Sequence, residues 1–144
     1  MKYLCLVYGE ENALDALSKS EMEVLVDESL AYDDVLRKSG HYLESAALQH
    51  VETAKTVRVR NREMAITDGP FAETKEQLLG FILIDAGDLN EAVQVAAKIP
   101  SASMGSVEVR PVLDLEPLRA RRAGGSTGYS DRRGSHHATP NRVP

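Results

Sequence analysis

The chain has 144 residues, 42% of them hydrophobic and 27% charged, with a formal net charge of −5; this suits one domain with a core of its own and no need of staples. Cys5 is the single cysteine, which excludes an intramolecular disulfide and a Cys/His metal framework, and no stretch approaches the roughly 18 apolar residues of a membrane helix. The charge is unevenly placed: beyond Leu118, six arginines (119, 121, 122, 132, 133 and 142) face only Asp131, a surplus of +5, so residues 1–118 carry −10. An acidic body of this kind repels a nucleic-acid backbone and is not expected to bind nucleic acid specifically; only the basic tail could touch one, without base readout.

The opening residues, Met1 to Asn12, show no long apolar segment and no small-residue cleavage site, so a cytoplasmic protein is expected. Lys2 to Tyr8 alternates Tyr3, Cys5 and Val7 with Leu4, Leu6 and Tyr8, which reads as a strand apolar on both faces, stopped by Gly9. A polar loop follows. Ser20 and Glu23 have the spacing of a capping box and predict a helix start; Met22, Leu25, Val26, Ser29, Tyr32 and Leu36 form its stripe, and Gly40 supplies the left-handed end. Tyr42 to Leu48 is the next strand. Thr56 to Arg60 and Met64 to Thr67 flank the polar turn Asn61-Arg62-Glu63 and predict a hairpin. Gly80 opens a central strand, Phe81 to Ile84, again apolar on both sides. Asp88 and Glu91 repeat the capping spacing before a second stripe of Leu89, Ala92, Val93, Ala96 and Ile99, which Pro100 ends. Ser106 to Leu113 is the last strand.

This order, β-α-β, hairpin, β-α-β, predicts an α+β domain over residues 1–118 with the ferredoxin-like split pattern and helices on one sheet face. Two helices leave the second face uncovered although its strands are apolar, so a homodimer is expected to cover it. Residues 119–144 are rich in Arg, Gly and Ser, carry almost no apolar periodicity, and are expected to form a disordered tail.

The run Asp68-Gly69-Pro70-Phe71-Ala72-Glu73-Thr74-Lys75-Glu76-Gln77-Leu78, with Gly105 to Pro111 and the opening Met1-Lys2-Tyr3, resembles the DGPF branch of the YCII-related family over about residues 1 to 113. The resemblance implies a ferredoxin-like subunit in a dimeric α/β barrel. Some YCII-related proteins look like small lyases or isomerases, one of them a dehydrochlorinase acting on a chlorinated ring, and the plain branch carries a His-Asp pair proposed as catalytic. Here Ser29 stands where that branch has its histidine, while Asp68 matches its aspartate. Many DGPF proteins are encoded beside extracytoplasmic-function sigma factors, which implies an accessory or regulatory role.

Asp68 is read either as a turn former before Gly69 and Pro70 or as a general base or ligand contact. His41 follows Gly40 and either caps the helix or approaches Asp68 in place of the missing histidine. Ser29 interrupts the helix stripe and either bonds a backbone carbonyl or faces a cavity, with Tyr32 one turn on. Phe71 has no duty in making the turn and joins the ligand-binding candidates; Arg110, Arg58 and Arg60 are suited to an anionic group, though Arg58 and Arg60 are read mainly as solvated charges on an edge strand. Glu73, Lys75 and Glu76 are read mainly as a solvated charged face and His50 as a solvated loop residue. The adjacent His136 and His137 are a weak metal signal, and neither a metal nor a cofactor is expected. Two functions lead, with a purely structural role as the remainder. One is a non-enzymatic accessory or regulatory module that binds a small acidic organic molecule between the first helix, the sheet and the DGPF run. The other is a small lyase or isomerase with Asp68 as base and His41 or Tyr32 as partner. The residues leave open whether the protein is an enzyme.

Overall fold

The computed structural model describes residues 1–124. The expectations for the later tail, including His136 and His137, lie outside the described residues. The chain divides into two units after Val112. The first holds β1 (Lys2–Gly9), α1 (Glu11–Asp15), α2 (Lys19–Ser39), β2 (Tyr42–Ala47), β3 (Lys55–Arg60), β4 (Glu63–Asp68), β5 (Gln77–Asp85), α3 (Leu89–Ala97) and β6 (Gly105–Pro111). The second holds α4 (Glu116–Ala123), with an Arg119–Glu116 ion pair of 3.0 Å. Residues 119–123 were expected to lack structure. Their alanines, leucine neighbour and arginines are strong helix formers, a preference that does not depend on an apolar stripe.

Four strands form one antiparallel sheet in the order β2-β5-β1-β6. β1 and β2 therefore run parallel with β5 between them, and β5 and β6 run parallel with β1 between them. These are the two interleaved β-α-β units of the ferredoxin-like α+β fold. The polar loop after β1 contains α1, too short to show a period.

Both helix starts show how capping spacing is used. Ser18, not Ser20, caps α2: its hydroxyl accepts from Glu21 N at 3.1 Å and Glu21 accepts from Ser18 N at 3.2 Å. Ser18/Glu21 and Ser20/Glu23 have the same three-residue separation, so spacing does not choose between them. Gly40 ends the helix at φ 80° as expected. Val26 lies outside the buried stripe, 47% exposed. In α3, Asp88 accepts from Glu91 N at 2.8 Å, but the Glu91 carboxylate turns to Gly87 N and to His41 rather than completing a box.

The core lies on one side of the sheet. Tyr3, Cys5 and Val7 of β1 and Ile82 and Ile84 of β5 are buried with Leu36 of α2 and with Ala92, Val95, Ala96 and Ile99. Tyr32 and Val95 tie the two helices together, the Tyr32 hydroxyl donating to Val95 O at 2.6 Å. The opposite face is different. Leu4 lies between Leu83 and Arg110, and Leu6 between Phe81 and Glu108; these four apolar side chains are only partly buried. Both faces of β1 and β5 are thus apolar, and α2 and α3 serve only one of them.

β3 and β4 form a separate two-stranded sheet. Asn61 and Arg62, at φ 51° and 65°, make the tight turn whose twist matches two antiparallel strands.

Candidate functional site

The six candidate residues are spread over the molecule. Asp68 ends β4, with its side chain 82% exposed and paired with Lys55. His41 lies beyond the opposite end of β2, a strand of six residues and so on the order of 20 Å long. The structure therefore does not bring Asp68 and His41 together. His41 Nδ1 meets Ser39 Oγ at 2.6 Å and Nε2 meets Glu91 Oε1 at 2.8 Å. It links the end of α2 to the start of α3, and its hydrogen bond, followed by that of Gly87 N–H, holds the Glu91 carboxyl below the usual range.

Ser29 donates to Leu25 O at 2.8 Å within its own helix, and the Tyr32 hydroxyl is spent on Val95. Burial, then the nearby Cys5, raises the Tyr32 phenol above its usual range. Arg110 shares the open sheet face with Leu4 and pairs with Glu108 at 2.7 Å; the sheet separates it from Ser29 and Tyr32. Phe71 is 79% exposed, and its carbonyl accepts from Arg58 at 3.1 Å.

A polar cleft of about 330 Å³ is formed elsewhere, lined by Glu10, Glu11, Asn12, His50, Val51, Thr74, Lys75 and Gln77. Three segments build it: α1 just past β1, the connection after β2, and the second half of the DGPF run. Glu11 is the one buried charged residue among those described, 8% exposed. Its two carboxylate oxygens accept the Val51 N–H, each at 3.0 Å. Its own N–H donates to Gln77 Oε1 at 3.1 Å, while Gln77 Nε2 donates to Thr74 O at 2.7 Å. These bonds orient the Gln77 amide and fasten the three walls to one another.

His50 borders Glu11 and Asp15, with Nε2 at 3.5 and 3.4 Å from their carboxylates. Nδ1 accepts from Glu52 N at 3.4 Å, which places the ring proton on Nε2, facing the acids. Lys75 reaches over the rim, 3.7 Å from Glu10 and 87% exposed. Two wider hollows beside Pro100 are bordered by Glu28 of α2, in one of them with Lys98 at the end of α3 and in the other with Glu21 of α2. Among the described residues, no three His, Cys, Asp or Glu side chains gather as a metal-holding group.

The specific run thus works in two halves. Gly69, at φ 95°, ties the hairpin base through its N–H to Ala54 O at 2.8 Å and its carbonyl to Thr56 Oγ1 at 2.8 Å. Thr74, Lys75 and Gln77 line the cleft. Glu11 and Gln77 were missed in the sequence and His50 was read as solvated. Glu11 meets partners 40 and 66 residues away, a separation no local pattern reports.

An antiparallel four-stranded sheet in this order, with helices on one face, defines the ferredoxin-like α+β class seen in dimeric α/β barrels. Within that class the chain belongs to the YCII-related family: the YCII-related domain model matches residues 1–116. A relative described as an uncharacterized protein of Rhizobium meliloti (strain 1021) is 40% identical over 119 residues, covering 81% of this chain and 96% of the relative. No helix of the described residues is long and apolar enough to cross a membrane.

Proposed function

We propose that this YCII-related protein is a homodimer that binds a small organic acid in the Glu11 cleft, as a non-enzymatic accessory or regulatory module. The observation that carries the binding site is Glu11, a buried carboxylate that joins three chain segments around a concave polar space. Such a wall is assembled before any ligand arrives, so little ordering opposes binding. Lys75 is the flexible cation at the rim that meets the ligand's carboxylate, and Asn12 and Thr74 supply hydrogen-bonding groups.

Binding is favoured over catalysis because the acid–base groups are already occupied. Asp68 holds Lys55, His41 lies between Ser39 and Glu91, and His50 spends both nitrogens on Glu52 N–H and the two carboxylates. A lyase or isomerase using Asp68 as base would have to release Lys55 and recruit a partner from elsewhere. The sigma-factor connection rests on the family resemblance. The dimer is supported by the open face of Leu4, Leu6, Phe81 and Leu83, which has no helix from α2 or α3 above it.

Ligand-observed NMR with a panel of small mono- and dicarboxylic acids tests the reading. At least one acid should bind, and Lys75→Ala should weaken it tenfold or more, about 1.4 kcal/mol. Binding unchanged in both Lys75→Ala and Glu11→Gln would move the site elsewhere.

A further inference from the structure

We infer that the β3–β4 hairpin is an intersubunit arm, which lays one apolar face on a second copy of this chain. The inference rests on the homodimer just proposed and adds a surface to it that the open sheet face does not include.

The register places Val57 opposite Ile66 and Val59 opposite Met64, so all four project from the same side of the ribbon. They are 56%, 59%, 58% and 67% exposed, in that order. The two strands pack chiefly on each other, and an isolated two-stranded hairpin is marginal in water without a surface to rest on. Four such side chains expose on the order of 400 Å² of apolar surface, within the size that marks an interaction site. That is about half of what one partner contributes to a standard interface, about 800 Å².

Charge favours the same occupant through the ribbon as a whole. The hairpin carries Lys55, Arg58, Arg60 and Arg62 against Glu63 and Asp68, with Arg58 and Arg60 on the side away from the valines, while the other residues of 1–118 hold seven basic and 19 acidic side chains. The net-basic ribbon is therefore drawn to an acidic second copy, and its apolar face makes the contact. The position in the chain agrees: the hairpin is inserted between β2 and β5, neighbours in the open-faced sheet, so it leaves the body at the border of the surface that the dimer covers. The Asn61-Arg62 turn keeps the strands in register out to the tip.

The test uses the full chain. Cys5 is buried, so Val59→Cys introduces a selectively reactive thiol that takes a benzophenone photocrosslinker. Mixed dimers of ¹⁴N and ¹⁵N subunits are irradiated and digested, and sedimentation equilibrium is run on the wild type and on Ile66→Asp. The arm predicts cross-linked peptides joining light to heavy chains, and a dimer dissociation constant raised at least tenfold in Ile66→Asp. A stable wild-type dimer with cross-links only inside one chain, and with Ile66→Asp dimerising as well as the wild type, overturns the arm and leaves the dimer standing. A monomeric wild type overturns both.

Discussion

Glu11 and Asp68 show how burial decides what a carboxylate does. Glu11 follows a strand and Asp68 ends one, but Glu11 is enclosed and bonded through both oxygens to Val51 N–H, whereas Asp68 stands in solvent beside Lys55. Asp68→Asn keeps the size and much of the turn's hydrogen bonding, so ligand affinity should change less than twofold; a tenfold loss in a titration would return Asp68 to the site. Cys5 belongs at this scale too. Burial pushes its thiol up to about 11, and only the thiolate reacts readily. Native protein at pH 8 should therefore label with Ellman's reagent only as it unfolds, and immediate stoichiometric labelling would contradict the packing around β1.

Elements were legible wherever a local rule had a local partner. The alternation in β1 and β5, the helices α2 and α3, and Gly40 all depend on neighbours within a turn or two, and they appear where the pattern puts them. The buried stripes, however, are turned: Val26, Leu89 and Val93 are 47%, 50% and 43% exposed and Val95 is buried. The cleft was not legible, because Gly9 reaches Gln77 only through the β1–β5 register and Glu11 reaches Val51 only after α2 and β2 have folded. The contact between β2 and β5 has its own test at Gly80. A Cβ there would strike the Ala46 carbonyl oxygen, which is backbone and cannot swing aside. Gly80→Ala should cost about 1–3 kcal/mol, read as a lower denaturant midpoint; an unchanged midpoint would mean the strands are farther apart. The link from α2 to α3 is sensitive to acid. Because the folded Glu91 pKa is lowered, its contribution is fully present above the ordinary carboxylate range and is lost as pH falls through the lowered value. Wild type should melt higher than Glu91→Gln at about pH 6, with the gap closing towards about pH 3. A gap that is constant with pH would remove the His41–Glu91 bond from the account.

For the whole molecule, the decisive feature is that β1 and β5 are apolar on both faces while α2 and α3 cover one. Leu4, Leu6, Phe81 and Leu83 would otherwise present a contiguous apolar surface to water, and in the proposed homodimer the same face of another subunit covers it with self-complementary contacts. The alternation in the sequence announced this second face, and the fold places the four side chains side by side across two strands. Sedimentation equilibrium of the full chain at micromolar concentration tests the homodimer directly. The account predicts a single species of twice the 15.8 kDa chain mass, and a species of one chain mass, well folded and free of aggregation at tens of micromolar, would contradict it.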